Sequence, residues 1–144
     1  MRDLGVLVEI CLTSNRVLLG AAGNQHPLAS YLEKKVPVAL ATDDSGILRG
    51  DITQEYVAAF TDQRLDYKTL KHMARASLEH AFVEGDSLWA VQDDFTRTVE
   101  VCGKDTLGAA PTSAGCRPSS PPTRAALQWK LETQLAAFEN QFVQ

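Results

Sequence analysis

Two adjacent carboxylates, Asp43 and Asp44, follow a short apolar run, Val36-Pro37-Val38-Ala39-Leu40-Ala41, with only Thr42 between. Charge at the end of a buried strand is unfavourable unless something cationic or a hydrogen-bond donor compensates it. Side chains of successive strand residues point in different directions, so one carboxylate of such a pair can reach a metal while its neighbour faces a substrate. Asp-Asp-Ser-Gly is also good turn or helix-cap chemistry, and the pair alone leaves both readings open. The chain's three histidines are His26, His72 and His80. His26 precedes Pro27 at a helix start and reads as a cap or surface residue rather than a ligand. His72 and His80 are eight apart on a helical stretch, somewhat off one face, and read as solvated or packed. The three cysteines, Cys11, Cys102 and Cys116, show no metal spacing such as C-x-x-C. Cys11 reads as a small buried hydrophobe. Cys102 and Cys116 flank a loop-like stretch, compatible with a disulfide in an oxidising compartment or with two thiols.

The elements that would position these groups follow from apolar patterning. Val6 to Leu12 is short and rich in branched residues, and it runs into Thr13-Ser14-Asn15, as a buried parallel strand runs into a loop. Gly20 to Gln25 predicts a loop, and His26-Pro27 opens a helix over Leu28 to Lys35 with proline near the first helical position. Val36 to Ala41 is a second strand, so the segment is a βαβ unit. Helices follow. Asp51 to Thr61 opens on an Asp51…Gln54 capping pair and places Ile52, Tyr56, Ala59 and Phe60 on one side. Asp66 caps a longer helix, Tyr67 to Phe82, whose apolar face includes Leu70, Met73, Ala74, Leu78 and Phe82. Cys102 to Pro122 is rich in Gly, Ala, Ser, Thr and Pro and reads as a linker. Thr123 introduces a last helix with Leu127, Leu131, Leu135, Phe138 and Phe142 as its stripe. The expected organisation is a barrel-like part over 1–100, a loop over 101–122 and a terminal helix over 123–144 packing on the same domain. Two strands cannot close a barrel or make an independently stable parallel sheet. The fold class is therefore α/β with an incomplete sheet: a fragment, or a subunit that needs a partner.

The order and spacing of Val8-Glu9-Ile10-Cys11-Leu12-Thr13-Ser14-Asn15, His26-Pro27 and Pro37-Val38-Ala39-Leu40-Ala41-Thr42-Asp43-Asp44 resemble the C-terminal part of the adenosine deaminase family. Gly50-Asp51-Ile52-Thr53-Gln54-Glu55-Tyr56 and Ala74-Arg75-Ala76-Ser77-Leu78-Glu79-His80-Ala81-Phe82 are similar too. The resemblance covers Gly5 to Trp89, and more loosely the terminal helix around Leu127 to Glu139. It implies the last two strands of an amidohydrolase-type (β/α)8 TIM barrel, Val6–Leu12 being the seventh and Val36–Ala41 the eighth. It further implies one zinc held by three histidines and an aspartate, with Asp43 matching that metal-ligating, catalytic aspartate and Asp44 matching the carboxylate that binds the purine. In the family, zinc lowers the pKa of a bound water, and the hydroxide attacks the ring carbon bearing the amino group. The H-x-H of the first strand, the histidines of the fifth and sixth strands and the proton-shuttling glutamate have no counterpart among these residues. Ser45 stands where proline often follows the two aspartates. The missing N-terminal barrel portion is the implied partner and a purine nucleoside the implied substrate.

At 144 residues, with 44% hydrophobic and 22% charged residues and a net charge of −4, the composition is that of an ordinary globular domain. Without a basic stripe there is no footprint for nucleic acid, and no polybasic or membrane-spanning stretch is present. No signal-peptide pattern follows the first apolar run. The location reads as cytoplasmic by default, or extracytoplasmic if Cys102 and Cys116 pair. Two other readings stand beside adenosine deamination: a non-catalytic assembly module whose open barrel edge a partner covers, and a deaminase of another aminopurine.

Overall fold

The computed structural model describes residues 1–117 and 122–142. The chain divides into two compact units, Met1–Ser77 and Leu78–Gln144. In the first, β1 (Val8–Ile10) and β2 (Val38–Leu40) pair in parallel, in the register Val8↔Val38, Glu9↔Ala39, Ile10↔Leu40. The connection between them carries α1 (Leu12–Leu19) and α2 (Leu28–Glu33). After β2 come a short α3 (Ser45–Leu48), α4 (Ile52–Thr61) and α5 (Tyr67–Glu79), in whose last turn the division between units falls. The protein is mixed α/β, as the patterning implied.

The first strand is shorter than expected, and Thr13-Ser14-Asn15 lie in a helix rather than a loop. Cys11 turns out of the extended region at φ −114°, ψ 79°, and α1 begins at once. Gly20, left-handed at φ 67°, ends α1, and its N–H bonds back to the Asn15 carbonyl. Ile10, Leu12, Leu28, Val38, Leu40, Ala59 and Met73 form the core of this unit. On α4 the buried positions are Glu55 and Ala59, whereas Phe60 and Ile52, expected on the inner face, are exposed. Asp51 caps α4 by accepting from Gln54 N–H at 2.9 Å, and Asp66 accepts from Thr69 N–H at 2.8 Å at the start of α5.

The second unit is organised by polar contacts as much as by apolar ones. Its long helix, α6 (Arg124–Glu139), starts at Thr123, whose hydroxyl accepts from Ala126 N–H. The fully buried residues are Ala126, Gln128, Trp129 and Glu132; of the expected stripe Leu127, Leu131 and Leu135 are half-buried, and Phe138 and Phe142 are exposed and pack on one another. Gln128 explains the difference. Its amide donates to the buried Glu79 carboxylate at 2.7 Å and accepts from Leu88 N–H at 2.7 Å, which turns that face inward. The helix predicted to reach Phe82 stops at Glu79, and Phe82 is exposed. Cys102 and Cys116 form a disulfide with Cα atoms 5.7 Å apart. Within that loop the Asp105 carboxylate accepts from the Thr112 and Ser113 backbone N–H groups and the Thr112 hydroxyl, which hold its pKa down to about 2. Trp129 Nε1 donates to the Ala109 carbonyl at 2.7 Å. Pro118-Ser119-Ser120-Pro121 of the expected linker lie outside the described residues. Among the described residues no helix is long and apolar enough to cross a membrane.

Candidate functional site

Asp43 and Asp44 lie just beyond the C-terminal end of β2, where active sites of parallel α/β structures are built. Asp43 is left-handed at φ 53°, a conformation that is unfavourable for a residue with a Cβ and in which aspartate is among the better tolerated. Its side chain does not serve the turn. Oδ2 accepts the Ser14 hydroxyl at 2.7 Å, across 29 residues of sequence. Among the described residues Oδ1 takes no hydrogen bond. Asp44 occupies the cap position of α3 but makes no side-chain cap bond, and both carboxylates are exposed. The turn-or-cap reading of the pair therefore fails to account for either side chain.

Three contacts fix the helix that brings Ser14 to Asp43. At its N-terminus, Thr13 N–H is shared between the two oxygens of the buried Glu55 carboxylate at 3.2 and 3.3 Å. At its next residue, Ser14 is 4% exposed and holds Asp43. One residue further, the Asn15 side-chain amide lies 2.8 Å from His26 Nε2. His26 Nδ1 accepts Leu28 N–H at 3.1 Å, capping the first turn of α2. A neutral ring that accepts at Nδ1 carries its proton on Nε2, so the group of Asn15 facing it must be the amide oxygen. Burial lowers the His26 pKa, in keeping with a neutral ring. His26 is thus the cap that sequence suggested, but it is buried rather than at the surface.

The Cys11 thiol sits beside this cluster. Its pKa is raised, first by burial and then by the charges of Asp43, Glu55 and Glu9; a hydrogen bond from the Asp43 backbone opposes the rise. A zinc site can be tested against these donors. Asp43 offers a free hard oxygen, but both His26 nitrogens are engaged and the Cys11 thiol is driven towards its neutral form. No group of three or more His, Cys, Asp or Glu able to hold a metal occurs among the described residues. The described residues fall short of the three protein ligands that a catalytic zinc needs. His72 and His80 lie apart from it: His72 is half-buried on α5, and His80 Nε2 pairs with Asp93 at 2.8 Å in the second unit. Sequence reasoning missed Glu55 and Ser14. The available signal for Glu55 was an acidic residue one turn before Ala59 on the inner side of α4; nothing local marked Ser14.

A parallel βαβ unit that presents carboxylates past its second strand is the kind of frame on which sites of α/β proteins are built. The adenosine deaminase family model matches residues 1–97. An N6-mAMP deaminase of Arabidopsis thaliana is 31% identical over 87 residues, covering 60% of this chain and 24% of that protein. Adenosine deaminase from an Escherichia coli strain is likewise 31% identical over 87 residues, 60% of this chain and 26% of its own length. The apo structure of the N6-methyl-AMP deaminase from Arabidopsis thaliana superposes with a TM-score of 0.53 at 32% identity, over 58% of this chain and 25% of that one. The chain belongs to the adenosine deaminase family. It spans about a quarter of the length of these relatives.

Proposed function

We propose that this chain is the C-terminal portion of a (β/α)8-barrel zinc hydrolase that deaminates adenosine or a close purine relative, with β1 and β2 as the seventh and eighth strands. The observation that carries the reading is Asp43. A residue in a left-handed conformation, exposed at a strand end, has its carboxylate aimed by a buried serine on another element instead of being spent on its own turn. In this proposal Asp43 supplies the oxygen ligand of a zinc whose imidazole ligands lie outside this chain, and Asp44, unengaged, faces the purine. The remaining barrel strands would be the partner that covers the open sheet edges. The cystine supports an oxidising location for that protein. A second reading, a deaminase of another aminopurine, is supported by the likeness to the N6-mAMP deaminase.

The test restores the rest of the barrel. The chain is joined behind the first three quarters of the Escherichia coli adenosine deaminase and, separately, of the Arabidopsis N6-mAMP deaminase. Zinc content, ammonia release from adenosine and methylamine release from N6-methyl-AMP are then measured. Asp43→Ala should abolish turnover and weaken zinc retention. Asp44→Ala should keep zinc while the rate falls by on the order of 10²-fold, as when an interaction that strengthens in the transition state is removed. Equal zinc loss in both variants, or full activity in Asp43→Ala, would refute the assignment. The host that recovers turnover distinguishes the two substrate readings.

A further inference from the structure

We infer that Glu55 is a positioning residue for Asp43, acting through the first turn of α1. The inference rests on the reading of Asp43 as the functional carboxylate, and it assigns a part to a side chain that reaches neither metal nor purine. Glu55 is 2% exposed, and an ionised carboxylate is tolerated in such a place only where donors meet it. The donor is Thr13 N–H, which both carboxylate oxygens share. Thr13 is the second residue of α1, where backbone N–H groups have no partner within the helix and where the helix dipole favours negative charge. The residue at the cap position, Cys11, makes no side-chain cap bond. Glu55, 42 residues away on α4, therefore does what a local cap does elsewhere.

The consequence lies one residue on. Ser14 follows Thr13 directly, and its hydroxyl is the hydrogen-bond donor to Asp43 Oδ2. The pitch and rotation of the first turn, set by where Thr13 N–H is held, decide whether that hydroxyl reaches Asp43. A glutamine at position 55 keeps the shape, but its amide nitrogen replaces one of the two acceptors and presents a donor to Thr13 N–H. The carboxylate is needed for its charge and for its second oxygen, not for filling space.

The experiment uses the full chain without metal or substrate, with ¹³C-labelled aspartate, at one fixed pH. The Asp43 carboxyl ¹³C resonance reports its hydrogen bond to Ser14. Ser14→Ala defines the shift produced by losing that bond. Glu55→Gln should move the resonance in the same direction by at least about half as much, and the double variant should move it no further than Ser14→Ala, because the two act on one link. Asp51→Ala is the control. It removes the cap of the same helix α4 without touching Thr13 and should lower stability while leaving the Asp43 resonance in place. If Glu55→Gln does not fold, Glu55→Asp, which keeps the charge but shortens the reach, is read in the same way. An unmoved resonance in the Glu55 variant overturns the inference, and so does an equal shift in Asp51→Ala, which would make Glu55 a merely structural residue. Failure of the barrel chimaeras alongside the expected shifts would sink the deaminase reading and leave the positioning contact standing.

Discussion

Replacing Asp43 by alanine and by glycine separates the use of its carboxylate from the cost of its backbone. Both variants lose the Ser14 hydrogen bond and the charge equally. They differ in that alanine must still hold φ near 53°, where a Cβ crowds the following carbonyl at a cost of about 1–2 kcal/mol. Glycine escapes that cost but gives up about 0.5–1 kcal/mol through its more flexible unfolded chain. The middle of these ranges leaves Asp43→Gly the more stable by about 0.7 kcal/mol. At a urea slope of about 2 kcal/mol/M this is a midpoint displaced by about 0.4 M. The probe must lie in the first unit. Trp89 and Trp129, the chain's two tryptophans, both belong to the second, so the ring resonances of Tyr31 and Tyr56 are the ones to follow. Coincident curves, or Asp43→Ala the more stable, would refute the backbone argument.

Two further outcomes follow from the contacts described. His26 has a folded-state pKa lowered by burial, so its contribution is fully present above the unfolded value of about 6.5 and is lost as pH falls from there through the folded value. The first unit should therefore unfold at lower urea at about pH 5 than at about pH 7.5, and His26→Gln should flatten that dependence; an unchanged slope in the variant would show that other groups carry it. Opening the cystine, whose partners are 14 residues apart, should cost the second unit roughly 3 kcal/mol by loop entropy, read by tryptophan fluorescence during denaturation of Cys102→Ser. No change would mean that the Asp105 contacts already hold the loop closed.

Local signals in the chain were legible and non-local ones were not. The strand centres at Val8–Ile10 and Val38–Leu40, the caps at Asp51 and Asp66 and the break at Gly20 are each set by residues within a few positions. The helix over Leu12–Leu19 was not legible, because Thr13-Ser14-Asn15 is good turn chemistry and the carboxylate that caps the helix stands 42 residues on. The inner face of α6 misled for a related reason. Leucine spacing marks Leu127, Leu131 and Leu135, which are half-buried, but Gln128, satisfied by Glu79 and the Leu88 backbone, sets Trp129 and Glu132 deepest. The Asp43–Asp44 pair stands out after the second apolar run, and only the family resemblance sets Asp43 apart from Asp44, whereas its left-handed backbone and its tie to Ser14 depend on packing that no local pattern encodes.

The junction between β1 and α1 behaves like a screw cut in one phase. Cys11 is the sole residue between the last of the strand and the first of the helix. Each residue of an α-helix turns the chain by about 100°, so one residue inserted or deleted there would swing the Ser14 hydroxyl about a quarter-turn away from Asp43. The strand pairing could survive such a change while the alignment of the site would not. A residue added between Ala21 and Asn24, beyond the left-handed Gly20 that already ends the helix, would transmit no such rotation to Ser14. The spacing from Ile10 to Ser14 is thus constrained as a rotation angle, independently of which apolar residues fill the core beneath it.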